Sequence, residues 1–530
     1  MIFGMPAVSA AGAADRWAHV RSFGTGLSLP VYRQKGAGEA DVPYLELLIL
    51  FSFIVFVWEF YLDVRQYRAL QRKDIPSALT ERIAELDSRA TASGSAPPEQ
   101  ASQYKDAPSP PAATSLLDRL TSKFEAARNY SIDKAHLGFV ETAFSQTENT
   151  TLLLLGSMPW FWDTSVELAG RWLGKRENEY VVSLVLLGLN MVLEQVVHLP
   201  FSLWAVFVVE ERHGFNKQSL GNFFLDKLKG LALSALLGGP MTLAVLYVIK
   251  AGGRNFFLYL YLLVLAFQLL LLTIYPTVIA PLFNKYEPLP EDSELKIQID
   301  ALASRVKFPL TKVFVVDGSR RSAHSNAYFY GFFKNKRIVL FDTLIAQVRP
   351  SELLSVLAHE LGHWAHSHTL QMFLVSQVHL FLAFFLFASS VDNAALFASF
   401  GFSSRPTIIA LLLFFQAIWS PVDKALSFVF TLWTRRNEFQ VASQRPVPPC
   451  SARPLTLSPP PGPFLQADEY AVGLGYSEDL QRGLVKLQIE NLSNPSPDPW
   501  YSFYHYSHPP LTERLAAIWA RQQAVERKRE

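Results

Sequence analysis

Cysteine is almost missing from this chain. Cys450 stands alone among 530 residues, which excludes an internal disulfide framework and a cysteine-based zinc finger. Charge is scarce as well, at 18% Asp, Glu, Lys and Arg, where a soluble chain carries about a quarter. Neither sign dominates: 48 Lys and Arg against 46 Asp and Glu leave +2, so no broad basic field favours nucleic acid. Apolar residues, by contrast, make up half the chain, with 40 Phe and 11 Trp. That excludes a collagen-like or fully disordered protein and points to a membrane protein with a polar domain attached.

A bilayer core takes about 20 mostly apolar residues per helix. Seven windows supply them: Tyr44–Leu62, Thr151–Leu173, Val181–Val209, Phe224–Ile249, Phe256–Leu282, Leu370–Ser390 and Thr407–Trp433. The second is weak, carrying Asp163 and Glu167, so six spans with one buried or interfacial helix is the other reading. The first is preceded by too much chain, and followed by no small-residue cleavage site, to be a secretory signal. Asn190, Glu194, Gln195, His198, Gln268, Gln377 and His379 fall near span centres. In hydrocarbon such groups are costly, so they either bond helix to helix or face a polar interior.

Outside the spans, Asp87–Thr114 is rich in Ala, Ser and Pro and reads as a flexible surface loop. Glu287–Pro350 reads as soluble, with short strands at Val313–Val316 and Arg337–Phe341 and Lys334-Asn335-Lys336 as the connecting turn. A polar tail runs from Ala467 and ends in the charged Glu526–Glu530, a solvated helix end.

The chemistry concentrates after Pro350. Ser351 is placed to cap a helix, with Glu352 near its positive end, and the helix reaches Ala358-His359-Glu360-Leu361-Gly362-His363. Histidines four apart share one helical face and can reach one Zn²⁺. Zinc there lowers the pKa of a water and polarises a scissile carbonyl, while Glu360 takes the proton and passes it to the leaving amine. His366 and His368 are expected to continue the helix, His366, three residues after His363, as a supporting or alternative ligand, or both as interfacial histidines. A third ligand is needed. Glu438, just past the last window, is the candidate, although beside Arg435 and Arg436 it could equally form a surface ion pair.

At these residues the chain resembles the type I CAAX prenyl protease family, membrane zinc metalloendopeptidases that include the yeast a-factor-converting enzyme. The matching pieces are Glu210-Glu211-Arg212-His213-Gly214-Phe215-Asn216-Lys217, Ile279-Ala280-Pro281-Leu282-Phe283-Asn284, Ser325-Asn326-Ala327-Tyr328-Phe329-Tyr330-Gly331-Phe332, His359–His363, Arg436-Asn437-Glu438-Phe439-Gln440, and Ser507-His508-Pro509-Pro510-Leu511 with Glu513-Arg514-Leu515. They keep one order from about Tyr44 to Leu515, apart from two inserts. The resemblance implies a mainly α, multi-pass membrane fold: a seven-helix transmembrane α-barrel around a large chamber, capped by a zincin-like HExxH domain containing a small β element. It implies one zinc held by His359, His363 and Glu438, with Glu360 as general base. It implies that Asn326, His508 and Arg514 hold the substrate backbone or oxyanion, and that Asp468 supports a zinc histidine. The implied reaction removes the last three residues of CaaX proteins already prenylated on cysteine, with an upstream cut in a pheromone precursor in some members. A chamber with mixed walls would let the lipid lie in apolar space while the peptide reaches the zinc.

The resemblance divides the chain into an extension over 1–43, five spans over 44–283, a soluble part over 284–350, the HExxH helix and last two spans over 351–440, an insert over 441–466 and the remainder over 467–530. The implied setting is the endoplasmic reticulum membrane, with the inner nuclear membrane as a continuation. The protease domain would face the cytosol, as the basic residues around Lys334 and Arg435 favour. Expected partners are prenylated CaaX proteins and the bilayer, not nucleic acid.

One departure matters. The family runs Glu-x-Gln-Ala-Asp through one helix, whereas here Val441–Gln466 stands between Gln440 and Ala467, and its eight prolines in 26 residues cannot continue a helix. Read straight along the chain, Asp468 is separated from Glu438. Valine codons begin GT, Gln466 can be CAG, and the Pro, Leu, Ser and Phe before it suit a pyrimidine-rich tract, so the stretch has the form of an in-frame retained intron. Its removal restores the two carboxylates to i and i+4. A tolerated surface loop is the competing reading. For function, the competitors are a quality-control protease clearing misfolded or translocon-trapped proteins and an inactive scaffold. A site-two-type protease is disfavoured, because Trp364–Thr369 separates His363 from the next span.

Overall fold

The computed structural model describes residues 16–17, 19–22, 28–92, 115–332, 335–439 and 466–527, without the side chains of 20–22, 28, 92, 332, 436–439 and 466. A short hairpin of β1 (His19–Ser22) and β2 (Ser28–Val31) precedes the membrane region. Helix α1 (Tyr44–Leu70) is followed by α2 (Ser77–Ala92), α3 (Leu116–Leu154), α4 (Ser157–Leu173), α5 (Glu179–Trp204), α6 (Leu220–Ala251) and α7 (Phe256–Ile274). Wide π-turns extend α5 through Ala205–Glu210 and α7 through Tyr275–Ile279. Asp87–Ala92, expected to open a flexible loop, instead complete α2, and the Asp87 carboxylate accepts from the Leu116 and Leu117 amides that open α3. Residues 93–114 lie outside the described residues.

Among the described residues, six helices are long and apolar enough to cross a membrane. The weak window Thr151–Leu173 is divided at Gly156, whose left-handed backbone turns α3 into α4. The pair nevertheless supplies a seventh wall: α1 packs on α3, α4 on α5, α5 on α6, α6 on α7, and α7 on α11 (His368–Ala388). The last span, formed by Thr407–Leu413, a π-turn and Ser420–Phe439, closes the ring through Trp419 and Phe415 against His379 and Phe384, and through Lys424 paired with Glu59 of α1.

The ring is hollow. The most apolar stretches of α6 and α7 are only 6% buried, and the last span reaches just 33%, far less than a solid bundle of this size would bury. One end is plugged by a hydrophobic core from the starts of α1, α5 and α7 and the ends of α6 and α11, including Leu45, Leu186, Leu246, Leu260 and Phe387. Mid-span polar residues pair between walls: Gln377 donates to Gln268 at 3.1 Å, His379 lies 3.1 Å from Asp423, and His198 lies 3.5 Å from Glu148. Glu194 is exposed. The helix-to-helix reading holds for these three pairs, whereas Asn190 donates to the Leu186 carbonyl of its own helix at 2.9 Å.

The protease domain caps the other end. Its sheet has the order β3 (Tyr286–Pro288), β4 (Leu310–Val316), β6 (Asn335–Phe341), β5 (Ala327–Phe332), with α8 (Glu294–Arg305) packed behind. The hairpin expected between the Val313 and Arg337 strands is corrected: β4 and β6 run parallel, which no tight turn can connect, and β5 intervenes, antiparallel to β6. Asn335 and Lys336 lie in β6 itself, and Lys334 lies outside the described residues. Beyond α9 (Asp342–Gln347) comes α10 (Pro350–Ala365), then α11, α12 (Ala394–Ser399), α13 (Thr407–Leu413) and α14 (Ser420–Phe439) of the last span, α15 (Gln466–Gly473), α16 (Ser477–Glu490), α17 (Pro499–His505) and α18 (Leu511–Glu526).

Polar fastenings hold cap to ring. The Glu210–Lys217 motif ends α5 and is tied to the domain: Glu210 accepts from Tyr130 at 2.5 Å and lies 3.2 Å from His324, whose ring stacks on Phe215. Glu490 of α16 receives Arg119 and Lys123 of α3 at 2.6 and 2.8 Å. Asp498 receives Arg65 of α1 at 3.0 Å.

Candidate active site

Helix α10 begins at Pro350, one residue earlier than the sequence suggests. Proline suits the first helical position because its missing N–H has no partner to lose there. The Glu352 carboxylate accepts from the Arg349 amide at 2.8 Å, while Ser351 Oγ donates to Asp479 at 2.8 Å instead of capping. Glu352 also receives Lys486 of α16 at 2.6 Å, with both residues buried. Leu353, Leu357, Ala358 and Leu361 sink into the domain core, which turns the adjacent face, carrying His359 and His363, toward the cap's open side.

The two imidazoles stand 4.9 Å apart between centroids, nearly perpendicular. His359 is buried, and its Nδ1 lies 2.7 Å from Asp468 Oδ1. A carboxylate only accepts, so Nδ1 carries the proton, and in the neutral ring the lone pair falls on Nε2. Arg514 donates to both oxygens of Asp468, at 2.6 and 3.0 Å. Burial pushes the Asp468 carboxyl up, but Arg514 and His359 outweigh it and hold it well below the usual carboxylate range. Read along the chain, Asp468 was cut off by the proline-rich stretch. In space α15 lies directly on α10, and Asp468 reaches His359 regardless. Residues 441–465 lie outside the described residues, and so does the Glu438 side chain, although its helix α14 packs against α15.

Gly362 makes that approach possible. A Cβ on it would meet the Ala467 Cα at 2.9 Å and the Ala467 carbonyl oxygen at 3.1 Å. The glycine within the motif therefore has a packing reason that the motif alone does not reveal.

His366 and His368 do not continue the helix. Ser367 takes a left-handed backbone, φ 56°, which ends α10 and starts α11. The break swings His368 back, buried, with its Nδ1 3.0 Å from His363 Nδ1. His363 thus gains an orienting partner that sequence reasoning read as one of two interfacial histidines. The signal that could have found it is Ser367-His368 before an apolar span, a helix break that returns the chain. His508, just before α18, has its ring 6.3 Å from that of His363. Asn326 sits exposed at the start of edge strand β5, its backbone oxygen accepting from the Phe341 amide at 3.1 Å. Glu360 is half-buried between the two histidines.

The donor set suits a divalent metal of borderline softness. Two imidazoles share one face, each with Nδ1 engaged by a neighbouring side chain, Asp468 for His359 and His368 for His363, the kind of orienting contact found at zinc sites. Among the described side chains no third His, Cys, Asp or Glu completes a ligand group.

Known proteins match over nearly the whole chain. The model of the CAAX prenyl protease N-terminal region, five membrane helices, matches residues 66–285, and that of peptidase family M48 matches residues 290–442. The chain belongs to peptidase family M48. It is a multi-pass membrane metalloprotease of that family's CAAX prenyl protease type. A rice (Oryza sativa subsp. japonica) protein named CAAX prenyl protease 1 homolog is 42% identical, over 90% of this chain and 97% of that protein. The Homo sapiens homolog is 38% identical over 90% and 95%. CAAX prenyl protease 1 of Saccharomyces cerevisiae is 35% identical over 90% and 96%. The crystal structure of S. mikatae Ste24p superposes with a TM-score of 0.72 at 33% identity, covering 91% of this chain and all of that one. This supports the expected barrel and zinc-protease cap. The M48 match ends at residue 442, the second residue of the proline-rich stretch.

Proposed function

We propose that this M48 protease removes the C-terminal three residues of prenylated CaaX proteins, using zinc held by His359, His363 and Glu438. The observation that carries the reading is an HExxH helix mounted across the mouth of a hollow membrane ring closed at its far end. Apolar walls can hold the isoprenoid while the peptide stays in the polar cap. Zinc, when bound, supplies Lewis acidity to the scissile carbonyl and to the attacking water. Glu360 accepts the proton from that water and delivers it to the leaving amine. Asp468 fixes the His359 ring with Nε2 forward, and Arg514 keeps Asp468 ionised. The outer edge of β5 offers backbone groups to an extended substrate, with Asn326 just before it, and His508, beside His363, would serve the developing oxyanion. The proposed setting is the endoplasmic reticulum membrane and its inner nuclear continuation, with the cap toward the cytosol.

The test is cleavage of a farnesylated CaaX peptide by the purified full chain. Wild type should release the tripeptide, and Glu360→Gln should lose at least about a hundredfold in turnover while retaining zinc. Equal cleavage of unprenylated peptides would favour the quality-control reading instead. We infer further that Val441–Gln466 is dispensable to the site. A chain lacking it should cut at least as well, and transcript sequencing decides whether the stretch is a retained intron. If most messages encode it, the intron reading fails.

A further inference from the structure

Where the cap meets the ring, a cavity of about 290 Å³ opens between the first turns of α6 and the chain that follows α7. Its polar wall carries four cations, Lys229, Lys285, Arg320 and Arg321, against one carboxylate, Asp226. The Asp226 carboxylate is taken up in building the wall: it receives Arg321 at 2.9 and 3.2 Å and Gln218 at 2.9 Å. Arg321 also donates to Asn284 Oδ1 at 2.6 Å, and Lys229 to the Leu282 carbonyl at 2.9 Å. Arg320 is exposed and has no carboxylate within ion-pair distance among the described residues; Lys285 is exposed, is paired with Glu287, and its amide donates to the Asp317 carboxylate at 2.7 Å. With Lys285 paired to Glu287, four cations stand against the two carboxylates Asp226 and Glu287, and Arg320 is the cation above the fixed base that has no ion-pair partner among the described residues.

The apolar wall of the same cavity is Leu225 and Leu282, 47% and 51% exposed. Beyond them Leu228 and Val278 continue an exposed apolar face along the spans. Helix α6 has 32 residues, about 48 Å at 1.5 Å per residue, whereas the hydrocarbon core is about 30 Å. Its first turns, with Asp226 and Lys229, therefore emerge at the headgroup level on the cap's side. Cations at that depth, bordered by an apolar face, match the two halves of an anionic phospholipid. The Ile279–Asn284 motif, unused by the proteolytic site, supplies the turn that folds Asn284 and Lys285 over this cavity.

We propose that this cavity binds the phosphate headgroup of an anionic phospholipid, with its acyl chains along the α6–α7 face. The inference is independent of the substrate assignment. Its test is native mass spectrometry of the full chain released from nanodiscs of phosphatidylcholine doped with phosphatidic acid. Wild type should retain phosphatidic acid, and Arg320→Glu should retain at least about fivefold less, the effect of ~1 kcal/mol per interfacial cation, with phosphatidylcholine retention unchanged. Arg320→Gln, which removes charge without reversing it, should fall between them and guards against misfolding. Equal retention by wild type and both variants overturns the proposal. Displacement of the lipid by inorganic phosphate alone identifies a soluble-anion site and overturns the lipid assignment. So does unchanged lipid retention with a raised KM for a peptide bearing a free C-terminal carboxylate but not for its amide, since the cations would then read substrate.

Discussion

Asp468 Oδ1 lies 2.7 Å from His359 Nδ1, although two bilayer spans and a proline-rich stretch separate the two residues along the chain. The contact fixes which ring nitrogen faces the proposed metal. Asp468→Asn should therefore cost about 10–100-fold in zinc affinity, read by competition with a chromophoric chelator. Asp468→Ala should also lower thermal stability, because it leaves Arg514 without its carboxylate.

Gly362 faces the Ala467 backbone so closely that a methyl group cannot enter without moving α15. Gly362→Ala should destabilise by about 1–3 kcal/mol and reduce turnover as Asp468 shifts. Gly483, on α16 against the same helix, is the control. A Cβ there meets its nearest atom at 3.4 Å, so Gly483→Ala should be neutral or slightly stabilising. Equal melting temperatures for the two variants would show that the close approach is unimportant.

His368 lies against His363 as Asp468 lies against His359, though an imidazole is a weaker partner than a carboxylate. His368→Ala should weaken zinc binding by up to about tenfold, less than Asp468→Asn, with little change in melting temperature of the zinc-free protein. An unchanged zinc affinity would assign His368 to packing alone.

Glu490 ties α16 to α3. Burial raises its carboxyl, but Lys123 and Arg119 outweigh that and leave it below the ordinary glutamate value. A carboxyl depressed in the folded state contributes its stability fully above the unfolded pKa of about 4.3 and loses it as pH falls through the folded value. Glu490→Gln should therefore melt below wild type at neutral pH, with the gap closing in acid. Parallel melting curves across that range would remove this link from the account of acid sensitivity.

Much of this protein is local and was legible along the chain. Six long apolar runs, the absence of cysteine frameworks, and histidines four apart with Glu360 between them need only helix periodicity and side-chain chemistry, which neighbouring residues determine. Gly156 shows the limit, because whether an apolar window is one helix or the bent half of a pair depends on a single backbone reversal. The strand assignment failed at Lys334-Asn335-Lys336 for a related reason: strand direction is set by which distant edge a segment pairs with, and β5 took the place of the expected turn.

Tertiary structure alone decided the rest. Whether seven walls enclose a hollow or pack solid depends on contacts between residues hundreds of positions apart, which no window records. The partners of His359 and His363 arrive from opposite directions, Asp468 from beyond the last span and His368 from a left-handed break at Ser367. The proline-rich stretch interrupts the helical spacing of Glu438 and Asp468 in sequence but not the packing of α15 on α10. Closing a longer loop costs only slowly growing entropy, while Gly362 lets the two backbones meet at the distance that places the carboxylate on the imidazole.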